Sequence, residues 1–252
     1  MLEINEIYNE DCLGDKGMCL IPDKSIDMIL CDMPYQSTAC KWDIQLDLDE
    51  LWKQYKRVIK DNGAIVLTAS QPFTSRLVMS NLKMFKYEWI WDTVSPCGHL
   101  NVKIRPMLRS ASILIFGKHP CYNPQGLVYN PRVKSRRSTS QGSQNYGKHN
   151  DVNISEYQGY PTNIIKYKRE CGLHPTQKPV ALFEYLIKTY TNPGDLVLDN
   201  CAGSGTTPVA CIKTDRNFIG FEWSPVEPHD LYFKPALERI KNEQLQTRIK
   251  FS

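Results

Sequence analysis

No Cys-x-x-Cys pair occurs in this chain, although it has nine cysteines. Their number is odd and they are scattered, at positions 12, 19, 31, 40, 97, 121, 171, 201 and 211. That pattern argues against a zinc site or a disulfide framework, and for free thiols in a reducing cytoplasm. Also missing is any apolar run near the ~20 residues that span a bilayer. The opening Met1-Leu2-Glu3-Ile4-Asn5-Glu6 is acidic, so no secretory leader is expected and a cytoplasmic location is. Acidic side chains are scarce in the middle. Residues 97–170 hold three Asp/Glu against twelve Lys/Arg, a net +9, whereas the remainder carries −5. A basic segment inside an acidic body is the electrostatic footprint of a polyanion binder. The 252 residues, 41% of them hydrophobic, suffice for one α/β domain with an inserted module.

Two common nucleotide-binding signatures are absent as well, and their absence is informative. Leu196-Val197-Leu198-Asp199 reads as a strand, Asn200 to Thr207 as a turn with glycines at 203 and 205, and Pro208 to Ile212 as helix-compatible. Small residues there let a ligand approach the backbone, and the helix N-terminus offers free N–H groups. Residues 216–222 read as the next strand, and Glu222 lies 19 residues beyond Gly203, the spacing at which an acid reaches ribose hydroxyls. Pro208 stands where a dinucleotide fingerprint has its third glycine, and Thr206-Thr207 stand where a P-loop has Lys-Ser/Thr. The remaining choices are a structural glycine turn and a site for a nucleoside without phosphates, for which S-adenosylmethionine fits.

Upstream, Asp27-Met28-Ile29-Leu30-Cys31 reads as a buried parallel strand that runs into Asp32-Met33-Pro34-Tyr35. A carboxylate, a proline and an aromatic at a strand's carboxyl end suit work on an exocyclic amine. The carboxylate accepts a hydrogen bond, the residue before proline is kept out of the helical region, and the ring offers a stacking face. Taken alone, the tetrapeptide fits an ordinary strand and turn equally well.

Together these segments resemble the amino-group DNA methyltransferases of the permuted β order, in which an Asp-Pro-Pro-Tyr-type catalytic motif precedes the cofactor motif. Asp32 to Tyr35 resembles the first motif and Asp199 to Thr207 the second. His174-Pro175-Thr176-Gln177-Lys178-Pro179 resembles the segment beside the cofactor's methionine end, Asn9 to Cys12 the turn at its adenine, and Ala64 to Phe73 the strand and turn after the catalytic helix. The resemblance implies a Rossmann-like α/β methyltransferase sheet with an inserted target-recognition lobe. It implies catalytic roles for Asp32, Pro34 and Tyr35. It implies a cofactor pocket made by Asp11 and Cys12, Asp32, His174, Pro175, Thr176 and Lys178, then Asp199, Asn200, Cys201, Gly203, Ser204, Gly205 and Thr206, and finally Glu222 and Trp223. Trp223 is placed either over the cofactor's adenine or as a packed surface residue. Met33 departs from the commoner proline of the motif, and Gln36 from its usual small or aromatic residue.

The expected organisation is a catalytic half over 1–116, a recognition insert over 117–170 and a cofactor-binding half over 171–252. Within the first part, Asp47 to Lys60 has a helical apolar period that Gly63 is expected to close, Gln71 to Met84 reads as a second helix, and Tyr87 to Asp92 and Ser112 to Phe116 read as paired strands. In the insert, Arg132, Lys134, Arg136 and Arg137 form the densest basic cluster, and Lys148 lies in a polar stretch after it. These five are expected to contact duplex DNA, as are Arg105 and Arg109 in the loop Ser95 to Arg109. A solvated excursion with no such role is the alternative for the insert. Leu231 to Ile249 reads as a terminal helix.

The expected reaction is direct methyl transfer to an adenine N6 drawn out of the duplex. Cytosine N4 is the alternative base. A DNA-binding protein without catalysis, or an RNA or protein methyltransferase, is the alternative function. Relatives often form homodimers, and a separate restriction endonuclease is a conceivable partner.

Overall fold

The computed structural model describes residues 2–35, 46–130, 156–170, 172 and 177–250. They fall into two compact units, one made of 1–123 with 163–252 and a smaller one of 124–162.

The larger unit is built on an eight-stranded sheet. In chain order its elements are β1 (Glu6–Tyr8), β2 (Ile26–Cys31), α1 (Leu48–Val58), β3 (Ile59–Ala69), α2 (Phe73–Ser80), β4 (Phe85–Cys97) and β5 (Leu108–Phe116). The smaller unit contributes β6 (Val128–Tyr129) and β7 (Tyr157–Gln158), and the chain returns through β8 (Ile164–Lys166), α3 (Val180–Tyr190), β9 (Leu196–Asp199), α4 (Thr206–Lys213), β10 (Asn217–Phe221) and α5 (Phe233–Lys250). The sheet order is β1-β10-β9-β2-β3-β5-β4-β8. Every neighbouring pair is parallel except those made by β5, which runs antiparallel to β3 and to β4.

The strand residues are apolar because both faces of the sheet are covered. Along β2, Ile29 and Cys31 face a layer with Leu51, Trp52 and Tyr55 of α1 and Leu77 of α2. Met28 and Leu30 face the opposite layer, with Leu182, Phe183 and Leu186 of α3 and Ala210 of α4. The two-residue alternation thus sorts one strand into two cores. Helix α1 carries its buried residues at 48, 51, 52, 55 and 58. Asp47 caps it by accepting from the Asp49 and Glu50 amides at 2.9 and 3.3 Å.

Several boundaries differ from expectation. Gly63 does not close α1, which ends at Val58; it lies inside β3. A Cβ on Gly63 would sit 2.7 Å from Ile59 Cδ1 and 2.8 Å from the Asp27 carbonyl oxygen, so the glycine is needed for close strand packing. The second helix is shorter than Gln71 to Met84, because Asn81 leaves the helical region at φ −150°. The expected loop from Ser95 is strand as far as Cys97. At the far end of the insert, Ile164–Lys166 joins the large sheet beside Ile90 to Asp92. The smaller unit, 124–162, therefore sits inside the 117–170 span. In it, Val128 and Tyr129 pair with Gln158 and Tyr157.

Candidate active site

The sheet has one place where the chain diverges to opposite faces. β2 leads into α1 on one side and β9 leads into α4 on the other, and β2 and β9 are neighbours. Parallel strands that part in this way leave a crevice at their carboxyl ends. A cavity of about 550 Å³ lies there, bordered by the ends of β1, β2, β9 and β10.

Asp32 follows β2 directly. Tyr35 donates to its Oδ1 from 2.5 Å, the Thr68 hydroxyl donates to the same oxygen, and the Lys178 ammonium is bonded to Oδ2. Tyr35 and Thr68 are also 2.7 Å apart, so the three side chains form a closed set. Burial first, and the Asp32 charge second, push the Tyr35 phenol up, so it stays protonated and donates. The Tyr35 ring stacks on Phe73 at the start of α2, with centroids 5.2 Å apart and planes at 24°. Pro34 and Tyr35 both border the cavity.

Across the crevice, the loop after β9 is shaped by two carboxylates. Asp199 accepts from the Cys201 amide at 3.0 Å and the Thr207 hydroxyl at 2.5 Å. Burial pushes it up to about 7 against those two bonds. Glu222, after β10, accepts from the Gly203 amide at 2.7 Å, and burial likewise pushes it up to about 7. Gly203 and Gly205 have φ of +53° and +78°, which only glycine adopts cheaply. Asn200 accepts from the Tyr55 hydroxyl at 2.5 Å, and its amide nitrogen faces the Cys12 and Cys201 sulfurs at 3.6 and 3.5 Å. Ser204 and Thr206 are held by Arg239 of α5, at 3.1 Å to the Ser204 carbonyl and 3.2 Å to the Thr206 hydroxyl. Asp11 accepts from the Leu13 amide at 3.0 Å and borders the cavity with Cys12. Trp223 stacks on His229 at 5.4 Å and also borders the cavity.

The structure thus gathers Asp11, Cys12, Asp32, Pro34, Tyr35 and Lys178 around the same cavity as Asp199, Asn200, Cys201, Gly203, Ser204, Thr206, Glu222 and Trp223. Gly205 stands just behind, at the N-terminus of α4 against Ala236. Lys178 borders the cavity with its ammonium on Asp32. His174, Pro175 and Thr176 lie outside the described residues, as do Arg132, Lys134, Arg136, Arg137 and Lys148. Arg105 is exposed on the loop between β4 and β5. Arg109 is committed to Asp92, with bonds of 2.8 and 3.0 Å to its two oxygens.

Sequence reading passed over four supporting residues: Thr68, Tyr55, Gln177 and Arg239. Gln177 accepts from Ser204 at 3.2 Å. Thr68 reaches Asp32 because pairing of Cys31 with Leu67 in adjacent parallel strands sets residue 68 beside residue 32, a register that no local stretch of sequence encodes.

The lining carries six carboxyl side chains, at positions 10, 11, 32, 170, 199 and 222, and two cations, Arg169 and Lys178. Such a wall repels phosphates and suits hydroxyls and a positive centre. A half-buried carboxylate, Glu222, bonded to the Gly203 amide in a glycine turn fits a ribose, so these residues fit an adenosyl group carrying a sulfonium.

A family model described as DNA methylase, of the N6/N4 class, matches residues 26–227. The DNA adenine methyltransferase YhdJ of Escherichia coli (strain K12) is 29% identical over 259 residues, covering 94% of this chain and 83% of the relative. The crystal structure of the M1.HpyAVI–SAM complex superposes with a TM-score of 0.61 at 26% identity, over 93% of this chain and 98% of that one. The PvuII DNA methyltransferase, cytosine-N4-specific, reaches a TM-score of 0.65 at 17% identity over 96% and 92% of the two chains, a likeness of fold. With four-fifths of its residues matched by that family model and its motifs lining one crevice, the chain belongs to the N6/N4 DNA methylase family.

Proposed function

We propose that this protein transfers a methyl group from S-adenosylmethionine to the N6 nitrogen of adenine in duplex DNA. The carrying observation is that Asp32, at the end of β2, and Glu222, at the end of β10, open onto one cavity whose lining is rich in carboxyl groups. Similarity to a relative named as a DNA adenine methyltransferase supports adenine over cytosine.

When bound, S-adenosylmethionine supplies an electrophilic methyl group on a sulfonium. Glu222 accepts hydrogen bonds from the ribose hydroxyls, and Asp199 keeps the glycine turn in shape by holding Cys201 and Thr207. The target adenine leaves the base stack, since its amine is out of reach in the duplex. Asp32 then accepts from the amine, which keeps the nitrogen lone pair out of ring conjugation and directed at the methyl carbon. Thr68 and Tyr35 occupy Oδ1, so Oδ2, now on Lys178, is the oxygen that exchanges its partner for the amine. As the nitrogen–methyl bond forms, the methyl–sulfur bond would break and leave its electron pair on a neutral thioether; the Asp32 carboxylate stabilises the positive charge on the nitrogen, which then sheds its extra proton to water. Tyr35 and Pro34 present the flat and apolar surfaces against which the base rests. Arg105 and the basic cluster at 132–137 hold phosphates.

The test is methyl transfer from tritiated S-adenosylmethionine to duplex DNA, followed by nucleoside analysis and sequencing of modified bases. N6-methyladenine at a defined sequence is expected. N4-methylcytosine would replace the base assignment, and no incorporation into any DNA would favour a protein that binds without catalysing.

A further inference from the structure

The loop between β4 and β5 displays an apolar tip that no part of the catalytic account uses. Leu100 and Ile104 are 88% and 82% exposed, the two most exposed large apolar side chains among the described residues. Val102 and Met107 beside them are also exposed. The tip is compact: Gly98 turns the chain at φ +86°, and the Ile104 and Arg105 amides both donate to the Asn101 carbonyl at 3.0 Å. Its stem stands at the crevice. Trp91 and Ala111, paired across β4 and β5, border the cavity. β3 stops pairing with β5 at Ala69 opposite Ser112, whereas β4 and β5 continue to Cys97 opposite Leu108. The hairpin therefore overhangs the catalytic edge by four residues, roughly 14 Å at the strand rise.

Charge identifies what covers this tip. No Asp or Glu occurs from 93 to 150, and Lys103 and Arg105 flank Ile104. At the stem, Arg109 is fixed to Asp92. An apolar point whose charged neighbours along the chain are all cations matches a partner that is anionic outside and apolar within, which describes the stacked duplex. The geometry points to Leu100 and Ile104 as a wedge that enters the base stack and fills the space vacated by the extruded adenine, an inference that rests on the DNA methylation reading above. Lys103 and Arg105 would then meet the phosphates on either side.

A Leu100→Ser, Ile104→Ser double variant tests this, since both side chains are exposed and their loss leaves the core intact. Single-turnover methyl transfer is measured on two duplexes of the sequence mapped in modified DNA, one with thymine opposite the target adenine and one with an abasic site there. The expected result is about tenfold or greater slowing on the paired duplex and a rate within about twofold of the parental one on the abasic duplex, where no pair must be broken. Slowing below about twofold on the paired duplex, or equal slowing on both, overturns the wedge. So does a dimer in light scattering that the variant converts to monomer, because the tip would then be a contact between copies. A parental protein that transfers nothing to either duplex overturns the functional reading, and the wedge with it.

Discussion

Asp32 has three partners, and they do two different jobs. Two hydroxyls fix one of its oxygens and an ammonium neutralises the other. Replacing Asp32 with Ala removes the only acceptor proposed for the target amine, so transfer should fall by on the order of 10²–10³-fold or more. Cofactor affinity should change little, as isothermal titration would record. Glu222 gives the opposite signature. Glu222→Ala should weaken cofactor binding roughly 10- to 100-fold, the worth of hydrogen bonds to a charged group. Because burial pushes Glu222 up to about 7, its carboxylate is only half formed at neutral pH. Cofactor affinity should therefore rise from pH 6 to pH 8. Glu222→Gln, which still offers the Gly203 amide an acceptor, should flatten that rise. A parental affinity that stays level across this range would remove Glu222 from the ribose site. At this scale the two motif carboxylates were legible because each ends an apolar strand. Lys178 was legible as a site residue, but its partner was not, since 146 residues separate it from Asp32.

Among the elements, the clearest lesson is Gly63. Read locally, a glycine after a helical period marks a helix end, and the period itself was sound: 48, 51, 52, 55 and 58 are all buried. What makes Gly63 necessary is the neighbouring strand, whose Asp27 carbonyl approaches to where a Cβ would be. Gly63→Ala should cost about 1–3 kcal/mol as overpacking against backbone, seen as a lowered denaturant midpoint with an unchanged slope. A shift no larger than that of a surface substitution would show that β2 and β3 part easily. The strands β2 and β9 were recognisable as apolar runs. That they are neighbours, and that their helices leave to opposite faces, makes the crevice, and nothing within either run encodes it.

For the molecule as a whole, the buried carboxyls couple folding to pH. Asp199 and Glu222 are raised from ordinary values of 3.8 and 4.5 to about 7. The folded chain therefore holds protons that the unfolded chain has released between about pH 4 and 7. Stability in the absence of cofactor should fall as pH rises through that window and level off above it. Asp61 and Asp92, which their Lys and Arg partners lower, titrate below the window and do not oppose the trend. Melting temperature across pH 5 to 8 measures it, and Asp199→Asn should flatten the slope. The charge division acts on the same scale. Neutralising Arg136 and Arg137 should weaken DNA binding at low salt and reduce the salt slope by about two. An unchanged slope would exclude that cluster from the phosphate contacts.

Local chemistry sufficed for the strand-end motifs, the glycine turn with its acid 19 residues on, the choice of a ligand without phosphates and the basic middle segment. Each depends on residues within about one element of one another, where spacing carries the information. Folding alone decided that Thr68 and Lys178 share Asp32, that Tyr55 supports Asn200 and that Arg239 anchors the glycine turn. Those pairs lie 33 to 146 residues apart, so their meeting depends on strand register and on which face each helix covers. Both are set by burial over the whole sheet, which no single stretch of chain contains.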